Sequence, residues 1–84
     1  MALTVLENAY LKKIENLPRF SESHKRIFFV LAHEKKYCTM EELLPCAAYN
    51  ESSLNRAIKD LEKLGIISVE GWLVRLADYE TALI

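Results

Sequence analysis

The sequence is poor in the residues that many binding sites and small scaffolds need. Only 2 Gly, 2 Pro and 2 Cys occur among 84 residues, so neither a glycine-rich phosphate loop nor a disulfide framework is expected. The longest apolar run, Ile27 to Ala32, is about a third of a membrane span. The net charge is −1, which gives no global attraction to nucleic acid or to an acidic membrane. We therefore expect a cytoplasmic protein without membrane association, in which any basic surface is local.

The composition and length of the chain favour a folded domain. The chain is 51% hydrophobic and 27% charged, a composition typical of a compact globule. Its length fits one domain, so we expect no active-site cleft between two domains. A domain of this size buries only about 60% of its unfolded surface. We therefore expect modest stability or association with a second subunit.

Two helices are predicted in the first half of the chain. The first has an apolar stripe at helical spacing and ends at Pro18. The stripe consists of Leu3, Leu6, Tyr10, Ile14 and Leu17. Ser21 can cap a second helix that runs to about Lys36. The middle of this helix, residues 27–32, is apolar on most sides, so we expect it to be the central element of the core.

Two further helices follow. Thr39 and Glu42 fit a capping box, so a third, short helix should begin at Met40. Pro45 should kink or tighten that helix, because proline removes a backbone donor. A fourth helix is predicted over 51–64, capped by Asn50 and ended by a left-handed Gly65.

After the fourth helix the apolar period changes to two, which predicts a β-hairpin. Strands over 66–69 and 72–76 would flank a two-residue turn at 70–71. In this register Val69 lies opposite Trp72, and Trp72 faces the core as a lid over the helices.

This order of elements resembles the winged helix-turn-helix superfamily, in particular small regulators of the MarR and ArsR groups. Residues 39–43 look like the first helix of the motif, and residues 50–67 look like its recognition helix running into the wing. The resemblance covers about residues 21–76. It implies a mostly α fold with a small β-hairpin, a winged helix-turn-helix with an extra N-terminal helix. It also implies duplex-DNA binding by a small homodimeric transcriptional regulator.

The fourth helix has a basic ridge opposite its apolar face. Arg56, Lys59 and Lys63 lie on this ridge between acidic shoulders. Asn55 can recognise adenine and Arg56 can recognise guanine, whereas the lysines suit phosphate. With the wing included, the expected DNA contacts are Ser52, Ser53, Asn55, Arg56, Lys59, Lys63 and Arg75. The wing is a poor DNA reader, because its turn is short and Glu70 would be repelled by phosphate.

The chain divides into an N-terminal helix (1–20), the winged helix-turn-helix domain (21–77) and a C-terminal tail (78–84). A winged-helix core is complete without the first helix, so that helix either packs on its own core or forms a dimer. We expect a dimer interface at Leu3, Leu6, Tyr10 and Ile14. Two recognition helices one DNA turn apart would then bind a palindromic site.

Two alternatives stay open. The neutral net charge and acidic wing favour a protein–protein adaptor that does not bind DNA. Cys38 and Cys46 could form a thiol or metal sensor added to a regulator. The spacings of His24, His33 and the cysteines match no common zinc pattern, so we expect no metal, no cofactor and no enzymatic activity.

Overall fold

A computed structural model describes residues 5–35 and 37–77, without the side chain of Leu6. The helices in these ranges are α1 (Val5–Glu15), α2 (Glu22–Phe29), α3 (Met40–Leu43) and α4 (Glu51–Lys63). A π-helical turn (Val30–Glu34) extends α2, and a 3-10 turn (Leu44–Ala47) follows α3. The strands are β1 (Tyr37–Thr39), β2 (Ile67–Glu70) and β3 (Leu73–Leu76). The architecture is mostly helical with a small three-stranded antiparallel sheet, and no helix in the described ranges is long and apolar enough to cross a bilayer.

The predicted starts of α2, α3 and α4 are confirmed, since each follows its expected cap residue. The Glu42 N–H donates to Thr39 Oγ1 at 3.1 Å, and the Thr39 N–H donates to Glu42 Oε1 at 2.9 Å, which completes the capping box. Pro45 lies in the 3-10 turn, so the expected tightening is confirmed. The Ser53 N–H donates to Asn50 Oδ1 at 3.0 Å at the start of α4.

The helix ends follow the predictions with one addition. Gly65 has a φ of +77°, the left-handed conformation expected after α4. The second helix extends to Glu34, but its last five residues form a π turn instead of α-helix.

The sheet has a strand that was not predicted. β1 pairs with β3, which lies in the centre of the order β1-β3-β2, and Cys38 is opposite Val74. Both of these side chains are buried. The neighbouring Tyr37 and Arg75 pair on the outer face. β1 therefore closes one side of the core beneath the sheet.

The predicted hairpin register is wrong. Val69 pairs with Val74, and Glu70 pairs with Leu73, so the turn consists of Gly71 and Trp72. Gly71 has a φ of +63°, and a glycine with positive φ in the first turn position is the pattern of a type II′ hairpin. Trp72 is consequently 75% exposed. The prediction that it covers the core is wrong, since a turn residue does not share the face of the strand.

The first helix packs on the chain's own core. Tyr10 is 4% exposed and Ile14 is fully buried, and the Tyr10 ring meets the Phe28 ring edge-on at a centroid distance of 6.4 Å. The predicted dimer interface is therefore wrong at Tyr10 and Ile14, because their side chains are already covered. Leu3 and the Leu6 side chain lie outside the described residues, as does the tail 78–84.

Polar side-chain contacts add to the packing of α1. Glu15 Oε2 lies 3.7 Å from Lys25 Nζ on α2, and the buried Glu7 carboxylate lies 3.3 Å from His33 Nε2 on the π turn. These contacts hold one end of α1 to α2 and the other end to the π-helical turn.

Candidate nucleic-acid interface

Six of the seven predicted DNA contacts share one exposed side of α4, which we call the α4 polar face. Its residues are Ser52, Ser53, Asn55, Arg56, Lys59 and Lys63, and all are exposed. The opposite side is buried, with Leu54, Ala57, Ile58 and Leu61 in the core. The sequence folds locally in this way because its apolar positions recur at helical spacing. The whole predicted set on α4 is therefore available to a partner.

The basic side chains of the α4 polar face are not neutralised by any residue that the structure describes. Arg56, Lys59 and Lys63 take part in none of the ion pairs formed among residues 5–35 and 37–77. Arg56 is three residues from Lys59 and seven from Lys63, so the three charges lie along one side of the helix. This arrangement provides a ridge of positive charge.

The amino-terminal end of α4 has the opposite charge. Glu41 of α3 and Glu51 of α4 line a cleft of about 440 Å³ together with Asn55. The α4 polar face therefore changes from acidic surroundings at its start to basic side chains in its second half. An anionic partner is attracted to the second half.

The turn before α4 is conformationally costly. Ala48 and Tyr49 have φ values of +53° and +61°, and a left-handed non-glycine residue costs about 1–3 kcal/mol. The Tyr49 N–H donates to the Leu44 carbonyl at 2.8 Å, which holds the turn closed. The Tyr49 side chain is exposed. This tight turn fixes the angle at which α4 leaves the 3-10 turn.

Arg75, the seventh predicted contact, lies apart from the α4 polar face. It is on the outer face of the sheet, opposite Ser68 of β2. Its guanidinium donates to Glu70 Oε1 at 3.1 Å. The basic group of the hairpin is therefore paired with its acidic group.

A buried polar contact beneath α4 escaped the sequence reasoning, which considered His24 only as a candidate metal ligand. His24 Nε2 lies 3.0 Å from Asp60 Oδ2, and the His24 side chain is almost fully buried. The Ser21 N–H donates to His24 Nδ1 at 3.2 Å, so Nδ1 is the acceptor and Nε2 carries the proton that Asp60 accepts. This chain of hydrogen bonds joins the start of α2 to α4.

The cysteines show no sign of activation. Cys38 is buried in the core and Cys46 is half-buried, both as free thiols. Burial raises the pKa of both the Cys38 and the Cys46 thiol, whereas sensor cysteines have a lowered pKa. Within the described ranges there is no group of three or more His, Cys, Asp or Glu side chains that could hold a metal ion. The α4 polar face remains the best candidate site.

Comparison of the chain with protein-family models, curated proteins and solved structures found no match. Its function must therefore be inferred from the geometry and charge described above.

Proposed function

We propose that the chain is a winged helix-turn-helix protein that binds duplex DNA with the α4 polar face in the major groove. The observation that carries the proposal is the ridge formed by Arg56, Lys59 and Lys63, three exposed cations that form no ion pair with residues 5–35 or 37–77. An α-helix fits the major groove, and unpaired cations on its outer side gain free energy by releasing phosphate counterions.

The architecture is compatible with this proposal. A short helix, a tight turn, a longer helix and a β-hairpin follow one another in the chain, and the hairpin belongs to a small sheet beside α4. The strained turn at Ala48 and Tyr49 and the hydrogen bond between His24 and Asp60 both fix α4 relative to its neighbours. A rigidly held helix is what base readout requires, because side chains must meet base edges in a fixed register.

The distribution of charge suggests a binding orientation. Glu51 would be repelled by phosphate, so the start of α4 should point to base edges, where a carboxylate can accept from cytosine N4. Asn55, also near this end, can bind adenine in a bidentate manner. Lys59 and Lys63 lie further along and suit the phosphate backbone. In this orientation α4 crosses from the bases at its start to the backbone at its end.

A homodimer remains part of the proposal, since two-fold symmetry would allow recognition of a palindromic site. Its interface does not involve the Tyr10 and Ile14 side chains, which are buried in the chain itself. Sedimentation equilibrium of the protein with and without duplex would establish the stoichiometry. A monomer on DNA would remove the dimer from the proposal and leave the α4 interface in place.

The test of DNA binding is fluorescence anisotropy of a labelled random-sequence duplex at several salt concentrations. Two or more phosphate contacts predict a slope of log affinity against log salt of about −2 or steeper. The variant Arg56→Glu/Lys59→Glu should abolish binding at low salt. The matched control Lys12→Glu/Lys13→Glu reverses two exposed charges on α1 and should retain most of the affinity. Equal losses in the two variants would mean that only net charge matters and that α4 is not the interface.

One observation favours the second candidate, a protein–protein adaptor. Tyr37, Trp72 and Leu73 are exposed apolar side chains on or beside the outer face of the sheet, and aromatic residues are enriched at protein interfaces. An adaptor acting through this surface would keep its partner in Arg56→Glu/Lys59→Glu and lose it in Trp72→Ser. The two candidates therefore respond oppositely to the same pair of variants.

A further inference from the structure

Arg19 and Arg56, which are distant in sequence, line the same cleft. The cleft has a volume of about 330 Å³ and lies between the turn that joins α1 to α2 and the outer side of α4. Leu17, Pro18 and Asp60 complete its lining. The sequence reasoning assigned no role to Arg19, because nothing local relates it to the fourth helix.

The fold holds the two arginine-bearing segments together. The Leu17 N–H donates to the Ile14 carbonyl at 3.1 Å, and the Phe20 N–H donates to the Leu17 carbonyl at 3.2 Å, so the turn around Arg19 is hydrogen-bonded at both ends. The next residue along the chain, Ser21, is linked through His24 to Asp60 on α4. The position of Arg19 relative to α4 is therefore set by backbone and buried side-chain contacts.

The cleft has an excess of positive charge. The charged residues that line it are two arginines and one aspartate, Asp60. Asp60 Oδ2 accepts from His24, and the Asp60 side chain is 27% exposed. Neither Arg19 nor Arg56 forms an ion pair with any residue in the described ranges. An anion in this cleft would therefore meet two arginines and one aspartate.

A phosphate group matches this arrangement. Guanidinium groups present planar forks of N–H donors that bind phosphate oxygens in pairs. A single phosphate has enough oxygens to accept hydrogen bonds from both forks.

We propose that Arg19 and Arg56 together bind one phosphate of the DNA backbone, so that the turn between α1 and α2 is a second DNA contact beside α4. The inference rests on the proposed function and extends it. It changes the role of Arg56 from recognition of guanine to a backbone contact. Sequence preference is then carried by the start of α4, through Ser52 and Asn55.

The experiment compares matched neutral variants in the same anisotropy assay. Arg19→Gln and Lys13→Gln each replace one exposed cation by an amide, but only Arg19 lines the cleft. In Arg19→Gln we expect a roughly tenfold loss of affinity and a salt slope shallower by about 1. Lys13→Gln should keep the slope of the unaltered protein. Arg19→Lys should restore the slope with incomplete affinity, because lysine keeps the charge and loses the fork.

The double variant Arg19→Gln/Arg56→Gln tests whether the two residues share one phosphate. If the two arginines share one phosphate, the fold-loss of affinity in the double variant should be smaller than the product of the fold-losses in the two single variants. If they make separate contacts, the fold-losses should multiply. Independent effects, or an Arg19→Gln slope equal to that of Lys13→Gln, overturn the inference. The proposed function survives that result as long as Arg56→Glu/Lys59→Glu abolishes binding. Absence of duplex binding by the unaltered protein at low salt overturns both.

Discussion

Asp60 Oδ2 accepts a hydrogen bond from His24 Nε2 at 3.0 Å, beneath the helix that carries the candidate DNA-binding face. His24 in turn accepts from the Ser21 amide, so both ring nitrogens have a partner. The contact joins two helices that also meet through the apolar core. It gives α4 one specific position, which nonspecific apolar packing alone does not determine.

Removing this acceptor should destabilise the fold. Asp60→Ala leaves the buried His24 Nε2–H without its partner, and the free energy of unfolding should fall by about 1–2 kcal/mol. Urea denaturation followed by circular dichroism measures the change. Glu62→Ala, which removes an exposed acid from the same helix, should change stability by less than about 0.5 kcal/mol. Equal effects of the two substitutions would mean that the hydrogen bond contributes nothing.

The packing of α1 on its own core predicts a different effect of substitution at Ile14 than a dimer interface at that residue would. Ile14→Val removes one buried methylene and should lower the free energy of unfolding by about 0.5–1.5 kcal/mol. Val5→Ala, at a position 89% exposed, should be nearly neutral. Sedimentation equilibrium should show the same self-association for both variants as for the unaltered protein. Weaker self-association of Ile14→Val than of Val5→Ala would place the Ile14 side chain between subunits.

The capping box at α3 predicts a response to acid. The side-chain hydrogen bond from Lys35, together with the Thr39 N–H, lowers the pKa of Glu42 from its usual 4.5 to about 2. A carboxylate with a lowered pKa in the folded state stabilises the fold at pH values above its unfolded pKa and loses that contribution as the pH falls toward 2. The urea midpoint of the unaltered protein should therefore fall between about pH 5 and pH 2.

Glu42→Gln should flatten that fall, since glutamine still accepts at the cap but has no charge to lose. The effect will be small, because the pair is exposed to solvent. Glu41→Gln, at the adjacent exposed position, serves as the control and should keep the acid dependence of the unaltered protein. A Glu42→Gln profile as steep as that of Glu41→Gln would contradict the assigned role.

Trp72 reports the position of the hairpin turn. It is the single tryptophan of the chain, and its exposure in the turn predicts solvent-like emission in the folded protein and ready quenching by acrylamide. Trp72→Ala should change the free energy of unfolding by less than about 0.5 kcal/mol. Val74→Ala, in the buried face of β3, should cost at least about 1 kcal/mol. A blue-shifted tryptophan protected from quencher would instead support the lid over the core.

Sequence reasoning succeeded where a signal is local. The capping box of Thr39 and Glu42, the Asn50 cap and the left-handed Gly65 each set a helix boundary within a few residues. The exposed character of Arg56 and its neighbours on α4 followed from helical periodicity alone.

Sequence reasoning failed where two hairpin registers fit the same alternation of apolar residues. The predicted hairpin register pairs Val69 with Trp72. The observed register pairs Val69 with Val74, which lies two residues further along the chain. Because strand side chains alternate with a period of two, both registers place Val69 and Val74 on one face, so alternation gave no basis for a choice. Only the preference of Gly71 for the first turn position separates the registers.

Contacts that depend on the tertiary fold left no signal in the sequence. Three residues of β1 are too few for a recognisable alternation, and their partner strand lies near the other end of the described chain. The pairing of His24 with Asp60 and the approach of Arg19 to Arg56 likewise require the helices to be docked.

The most direct test of the central claim is a titration of the isotopically labelled protein with a short duplex at low salt, followed by amide NMR. If α4 is the interface, the largest chemical-shift changes should fall on residues 51–63 and on the turn at 17–20, and they should reverse when salt is added. The claim would be contradicted by shifts concentrated on β1 and the turn at Gly71 and Trp72 while α4 is unchanged, or by an unchanged spectrum.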